Sequence, residues 1–402
     1  MLITSDQLVE EIHDTPTKVV LVASGGGSRA IADLLEVPGG SRTLVEAVVP
    51  YSTTAMQTFL GGLPDEFCSE PTVRAMAMAA FHRGRSYGES PASLAGVACT
   101  ASLVSDRPKR GPHRIHVALQ NHEQTATWFL ELLKGRRSRA EEERLAGRLI
   151  LNVVAQACGV STQLTLDLLE GEMLQTSKTV AQRPWTNLLL GETEFVPMGP
   201  GVDCIFANDG NIIRANEGGI NDIGISNRSV TDAVAVFPGA FNPFHSAHRR
   251  MVELAQEVLH RPVAIELSIL NVDKPPLDFM EIERRVAQFG AEQPVYLTRA
   301  ATFEEKSRQF PGATFVVGTD TLQRIAAPRY YGDNVAACHE VLQQIVERGC
   351  RFLVFVRAVD GQMIRQSDID LPESFRAICT EVSPDIFRED ISSTSIRQAG
   401  MA

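Results

Sequence analysis

Two histidines three residues apart, His245 and His248, are the side chains best placed to do chemistry in this 402-residue chain. They close the run Phe237–His248, in which an apolar strand-like segment passes through Gly239 and enters a helical pattern from Arg249 to His260. A glycine after a strand lets the backbone approach a ligand closely. A helix N-terminus offers bare N–H groups to an anion, and imidazoles add donors at the same place. Such a group is suited to holding phosphate oxygens. The same pair is also compatible with a surface pair or half of a metal site. No cysteine or local carboxylate completes a zinc set, so no metal site is expected.

A second anion-binding pattern stands near the other end. Asp390–Arg397 places four adjacent hydroxyl residues, among them Ser393 and Thr394, before Arg397. Ser and Thr cap helices, and bare amides with an Arg form an anion seat. A plain capped helix is the alternative. Lys274 follows a strand candidate and reads as a phosphate contact or an exposed loop Lys. Asp320 follows another, and reads as an acceptor or metal contact or as a helix cap.

The elements that must position these residues divide the chain in three. From residue 1 to 165, a polar helix, the strand-like Lys18–Ala23, a glycine-rich turn and a helical pattern to Leu35 come first. Strand candidates follow at Gly96–Thr100 and His113–Leu119, and helices are expected at Thr125–Leu133 and Ala140–Cys158. Residues 166 to 230 are punctuated by Gly and Pro and read as a linker with short strands, at Asp203–Phe206 and Asn211–Arg214. From 231 to 402, strand candidates at Ala233–Phe237, Val263–Leu270, Pro294–Thr298, Thr314–Gly318 and Arg351–Val356 alternate with helices. Two α/β domains are therefore expected, the second built on a Rossmann-like parallel sheet. Ligands on such sheets bind at the carboxyl ends of the strands, where the order reverses.

Composition narrows the partners. The chain is 44% hydrophobic and 22% charged, as in ordinary globular proteins. A net charge of -11 disfavours a general nucleic-acid surface. The seven cysteines are scattered without a CxxC pair, which fits a reducing compartment better than a disulfide framework. No signal-peptide pattern and no apolar run of membrane-spanning length is seen, so a cytoplasmic protein without membrane contact is expected. The oligomeric state, a homo-oligomer included, is left open.

Gly-x-Phe-Asn-Pro followed by His-x-x-His, together with Ile-Ser-Ser-Thr-x-Ile-Arg, resembles the two signatures of the nucleotidylyltransferase superfamily. The nearest likeness is to nicotinamide or nicotinate mononucleotide adenylyltransferases, with further similarity at Glu266–Ser268, Asn271–Pro276, Thr302–Lys306 and Phe315–Asp320. The resemblance covers about 170 residues, and departs from the family at Ala247, where Gly is usual. It implies transfer of AMP from ATP to a pyridine mononucleotide, with release of pyrophosphate and with Mg²⁺ bridging the phosphates. His245 and His248 would be catalytic. Gly239, Phe241, Asn242, Lys274, Ser393, Thr394 and Arg397 would bind ATP and its phosphates, and Asp320 the acceptor. The alternatives are a different phosphate acceptor on the same fold, or a non-catalytic nucleotide sensor.

The first region resembles the CinA C-terminal family, which includes nicotinamide mononucleotide deamidases, at Ala23–Ser28, Val37–Ser41, Val48–Ser52 and Gly96–Ala101. The resemblance aligns Ser24 with the family's nucleophile candidate and replaces an expected Lys by Met56. A serine hydroxyl is a poor nucleophile without a base. The expectation is a domain that binds a nucleotide or supports assembly without deamidase activity. The basic run Arg107–Arg114 reads as a phosphate contact or a solvated loop.

Overall fold

The computed structural model describes residues 3–107, 109–198, 204–206, 212–214, 234–272, 275–359, 362–383 and 386–387. Contacts divide the chain into two compact units, one of residues 1–190 with 273–283 and the other of residues 191–272 with 284–402. Both are α/β, as expected from the alternation of elements.

The first unit holds a six-stranded sheet. Its strands are β1 (Lys18–Ser24), β2 (Leu44–Val48), β3 (Leu94–Ser102), β4 (His113–Gln120), β5 (Gln124–Leu132) and β6 (Gln175–Val180), in the order β2-β1-β3-β4-β5-β6. β2, β1 and β3 run parallel, and the remaining neighbours are antiparallel. One face carries Val19, Leu21, Val97, Cys99, Val117 and Leu119 against helix Arg139–Ala157. The other carries Val20, Val22, Ala98 and Ala118 against helix Glu70–Ser86. Period-2 alternation thus buries both faces of β1, β3 and β4.

One expected helix, Thr125–Leu133, is a strand instead. β4 and β5 form a hairpin whose turn is held by the Asn121 side chain, which accepts from the Glu123 and Gln124 amides at 2.9 and 2.8 Å. β-branched and aromatic residues dominate Thr125–Phe129 and pair with β4 throughout, so strand pairing wins over a weak helical pattern. β6 lies inside the segment expected as a linker, 166–230, and closes the first sheet's edge.

The same segment also supplies β7 (Phe195–Met198), which enters the second unit's sheet, and a small hairpin of β8 (Cys204–Phe206) and β9 (Ile212–Arg214). The second sheet continues with β10 (Ala235–Pro238), β11 (Val263–Ser268), β12 (Val295–Thr298), β13 (Thr314–Gly318) and β14 (Arg351–Phe355). A two-stranded excursion, β15 (Arg357–Val359) and β16 (Gln362–Ile364), precedes β17 (Cys379–Val382). The order is β17-β14-β13-β10-β11-β12-β7, parallel throughout except at β7. From β10 the chain runs outward through β11 and β12, then returns to place β13 on the other side of β10. The switch point therefore lies at the carboxyl ends of β10 and β13. Phe310, Phe315, Phe352 and Phe375 are buried on one side of this sheet. Each contributes about 1.5–3 kcal/mol of transfer free energy.

Candidate functional site

β10 ends at Pro238, and the chain turns through Gly239–Phe244 into helix Ser246–Leu259. The helix starts three residues earlier than the pattern from Arg249 implied. His245 is therefore its N-cap and His248 lies in its first turn. The two rings stack with centroids 3.7 Å apart. The His245 backbone N–H donates to His248 Nδ1 at 3.4 Å. In the neutral ring that leaves the proton on Nε2, which makes Nε2 the donor. His248 also stacks on Phe244 and meets Phe237 and Phe241 edge-on. An aromatic box thus fixes its plane.

Gly239 is held by its N–H, which donates to the Glu266 carbonyl at 3.0 Å. A Cβ at Gly239 would lie 2.5 Å from the Phe241 ring, so no larger residue fits while that ring folds back. Phe241 has φ of +44° and is buried against Phe237, Phe244 and Phe289. Asn242 accepts from Arg284 Nη2 at 2.5 Å. Ala247, the departure from the resembled signature, is buried.

The strand beneath the turn is fixed by a buried ion pair. Lys306 Nζ lies 2.8 Å from both Glu266 carboxylate oxygens and donates to the Ala300 carbonyl at 2.7 Å. Thr298 donates its hydroxyl to the same carboxylate. Glu266 and Lys306 come from two segments that the resemblance picked out separately, and the fold joins them as support for the Gly239 turn.

Asp320 sits in the first turn of helix Thr319–Ile325, at the carboxyl end of β13. The structure thus brings the His pair, Gly239 and Asp320 to the ends of the two strands that flank the switch point. Lys274, Ser393, Thr394 and Arg397 lie outside the described residues. Among the described residues, no group of three or more His, Cys, Asp or Glu could hold a metal ion, and no helix is long and apolar enough to cross a membrane. Cys68, Cys99, Cys158, Cys338, Cys350 and Cys379 are not in disulfides.

Pattern reading missed the residues that hold the turn from behind. Arg285 Nη1 donates to the Ala240 carbonyl at 2.9 Å, and the Gln288 amide bonds both Phe241 and Phe244. Their only sequence signal is their place at and just past the end of helix Phe279–Val286, some forty residues beyond the motif, which carries no chemical pattern.

In the first unit, Ser24 closes β1 and donates to the Pro50 carbonyl at 3.1 Å. The turn after it is pressed close to its neighbours: a Cβ at Gly25 would lie 2.0 Å from the Ala101 carbonyl oxygen. The amides at the start of helix Arg29–Glu36 are already engaged. Glu143 accepts from the Gly27 and Arg29 N–H groups and from the Ser28 hydroxyl, at 3.0, 3.2 and 3.0 Å. A carboxylate of the chain itself thus fills the position where a phosphate would sit. Met56 is buried in the apolar layer beside Val20 and Val22.

Cross-strand register sets Ser24, Thr100 and His116 side by side on β1, β3 and β4. His116 is buried, stacks on Phe129 at 4.6 Å, and makes no hydrogen bond through either ring nitrogen. Burial, aided by Arg114, pushes its pKa down to about 4. The sequence marked it only as one residue of an alternating strand.

Residues 236–399 match the model of the cytidylyltransferase-like family. That match lies within the second unit except for residues 273–283. The N-terminal region is similar to solved structures of the CinA superfamily. The competence/damage inducible protein CihA from Agrobacterium tumefaciens is 20% identical, with 39% of this chain and 98% of that chain covered and a TM-score of 0.31. A CinA superfamily protein from Escherichia coli is 14% identical, with 38% and 90% covered and a TM-score of 0.32. Another from Enterobacter cloacae is 16% identical, with 39% and 94% covered and a TM-score of 0.32. No curated protein matches the chain.

Proposed function

We propose that the second unit transfers AMP from ATP to nicotinamide or nicotinate mononucleotide and releases pyrophosphate, a step of NAD biosynthesis. The observation that carries this reading is the stacked His245–His248 pair at a helix N-terminus beside the switch point. With Nδ1 accepting from the His245 N–H, Nε2 is the ring atom of His248 that would donate to a phosphate oxygen.

In this reaction an oxygen of the acceptor phosphate forms a bond to the α-phosphorus of ATP. The bond from that phosphorus to the bridging oxygen breaks, and pyrophosphate leaves with the electron pair. No covalent intermediate on the protein is needed, so the chain acts by positioning and by stabilising developing charge. Gly239 makes room for the Phe241 ring behind the His pair, and the imidazoles would donate to the triphosphate oxygens. Ser393, Thr394, Arg397 and Lys274 would hold the departing phosphates, and Asp320 would face the acceptor. Mg²⁺ supplies charge neutralisation when bound. It would be held mainly through substrate phosphates and water.

The first unit is read as non-catalytic. Met56 gives Ser24 no base, and Glu143 takes the anion position beside it. Ammonia release from nicotinamide mononucleotide that disappears in Ser24→Ala would contradict this.

A second reading keeps the chemistry and changes the substrates, with CTP as donor or another phosphate-bearing acceptor. The cytidylyltransferase-like match favours it. Pyrophosphate release with ATP or CTP against a panel of acceptors separates the two. Release that needs ATP and a pyridine mononucleotide supports the first, whereas release only with CTP or another acceptor supports the second.

A further inference from the structure

We propose that Gln288 is the positioning residue that sets the geometry of the phosphate-facing turn. This rests on the nucleotidyl-transfer reading above and names the device that preorganises its site. The Gln288 carboxamide makes two bonds to one turn. Its Oε1 accepts from the Phe244 N–H at 2.8 Å, and its Nε2 donates to the Phe241 carbonyl at 3.0 Å. Its Nε2 also lies 3.2 Å from the Arg285 carbonyl, which ties the amide to its own helix end. A side-chain amide presents a donor and an acceptor in one plane, which an ionised carboxylate or an aliphatic chain of the same length does not.

The bonded groups bracket the turn just before His245. Phe244 N–H fixes the residue whose ring stacks on His248, and the Phe241 carbonyl fixes the residue held at positive φ. Two neighbours complete the splint, Arg285 on the Ala240 carbonyl and Phe289 against the Phe241 and Phe244 rings. The turn is therefore held in shape by side chains behind it. Preorganised donors act on the transition state because nothing must rearrange as charge develops. Gln288 touches no reacting atom in this account. Its effect reaches the phosphates through the placement of His245 and His248.

The test uses two variants of the full chain. Gln288→Leu keeps the bulk and removes both bonds, and kcat should fall about 10- to 100-fold, with the larger change in kcat rather than in KM. Gln288→Glu gives a sharper signature. As a carboxylate it accepts from Phe244 but repels the Phe241 carbonyl. When protonated it donates and accepts as the amide does. Its activity relative to wild type, low at pH 8, should recover as pH falls toward about 5. A merely space-filling Gln288 would produce no such recovery. Wild-type kcat and KM in Gln288→Leu, or a Gln288→Glu ratio that is flat with pH, overturns the assignment while leaving the transfer reading intact. Wild-type protein that binds MgATP but turns over no pyridine mononucleotide contradicts the transfer reading instead. The two variants are then compared by MgATP affinity: the same pH-dependent recovery supports the splint, and unchanged affinity in both overturns it.

Discussion

The two units use one local plan, a parallel strand that ends in a glycine turn and leads into a helix, and they treat the helix N-terminus in opposite ways. In the first, Glu143 satisfies the Gly27 and Arg29 amides, and the anion seat is part of the fold. In the second, the group at the N-terminus is an imidazole pair, and the turn is pinned through its carbonyls and one amide by Arg285 and Gln288. A bare glycine turn before a helix therefore says little about ligand binding. What decides is whether the chain supplies its own anion or spends its side chains on holding the turn's shape.

The comparison can be broken most strongly at the support of the second turn. Lys306→Met leaves Glu266 as a buried, unpaired carboxylate under Gly239 and should destabilise by about 3–5 kcal/mol. Urea unfolding of variant and wild type measures this, and a loss below about 1 kcal/mol would mean that water or another cation replaces the amine.

His248→Ala tests the chemical half of the comparison. Loss of one preorganised donor should lower the rate of pyrophosphate release about 100- to 1,000-fold, roughly 3–4 kcal/mol in the barrier, with the fold retained by circular dichroism. An unchanged rate would remove His248 from the mechanism.

The folded pKa of His116 is about 4, below its ordinary 6.5, so the unfolded chain binds more protons between these values. Stability is then complete above about pH 6.5 and is lost as pH falls toward 4, by up to about 3 kcal/mol. Melting curves across this range should show that His116→Leu flattens the loss. An identical pH dependence in the variant would place the acid sensitivity elsewhere.

The smallest effect is expected from Glu143→Ala, which removes three hydrogen bonds at a partly exposed helix start. The cost should be about 1–3 kcal/mol, and transferase turnover should be unaffected. If the position is a true anion seat, added phosphate should restore part of the melting midpoint. No restoration would reduce Glu143 to an ordinary cap.

How much of this was legible in the sequence follows from how far each constraint reaches. Strand β13 was read with its ends in place, and β1, β3, β4, β10, β11, β12 and β14 were located, because their apolar runs are bounded by turn residues. The β8–β9 hairpin was also located. The local pattern of β5 predicts a helix, whereas its pairing partner decides its state. β6 and β7 read as part of a linker, because edge strands such as Gln175–Val180 are largely exposed and carry little apolar signal. In the site, His245, His248 and Gly239 announce themselves by spacing. The Glu266–Lys306 pair and the Gln288 splint depend on contacts across forty or more residues, which no local pattern records.

The most direct test of the central claim follows the label from ATP. Purified protein with Mg²⁺, a pyridine mononucleotide and ATP labelled at the α-phosphorus should move the label into a dinucleotide, with unlabelled pyrophosphate in equal amount and with little transfer in His248→Ala. Label that remains in ATP, or that appears as free AMP whether or not the mononucleotide is present, would contradict the account.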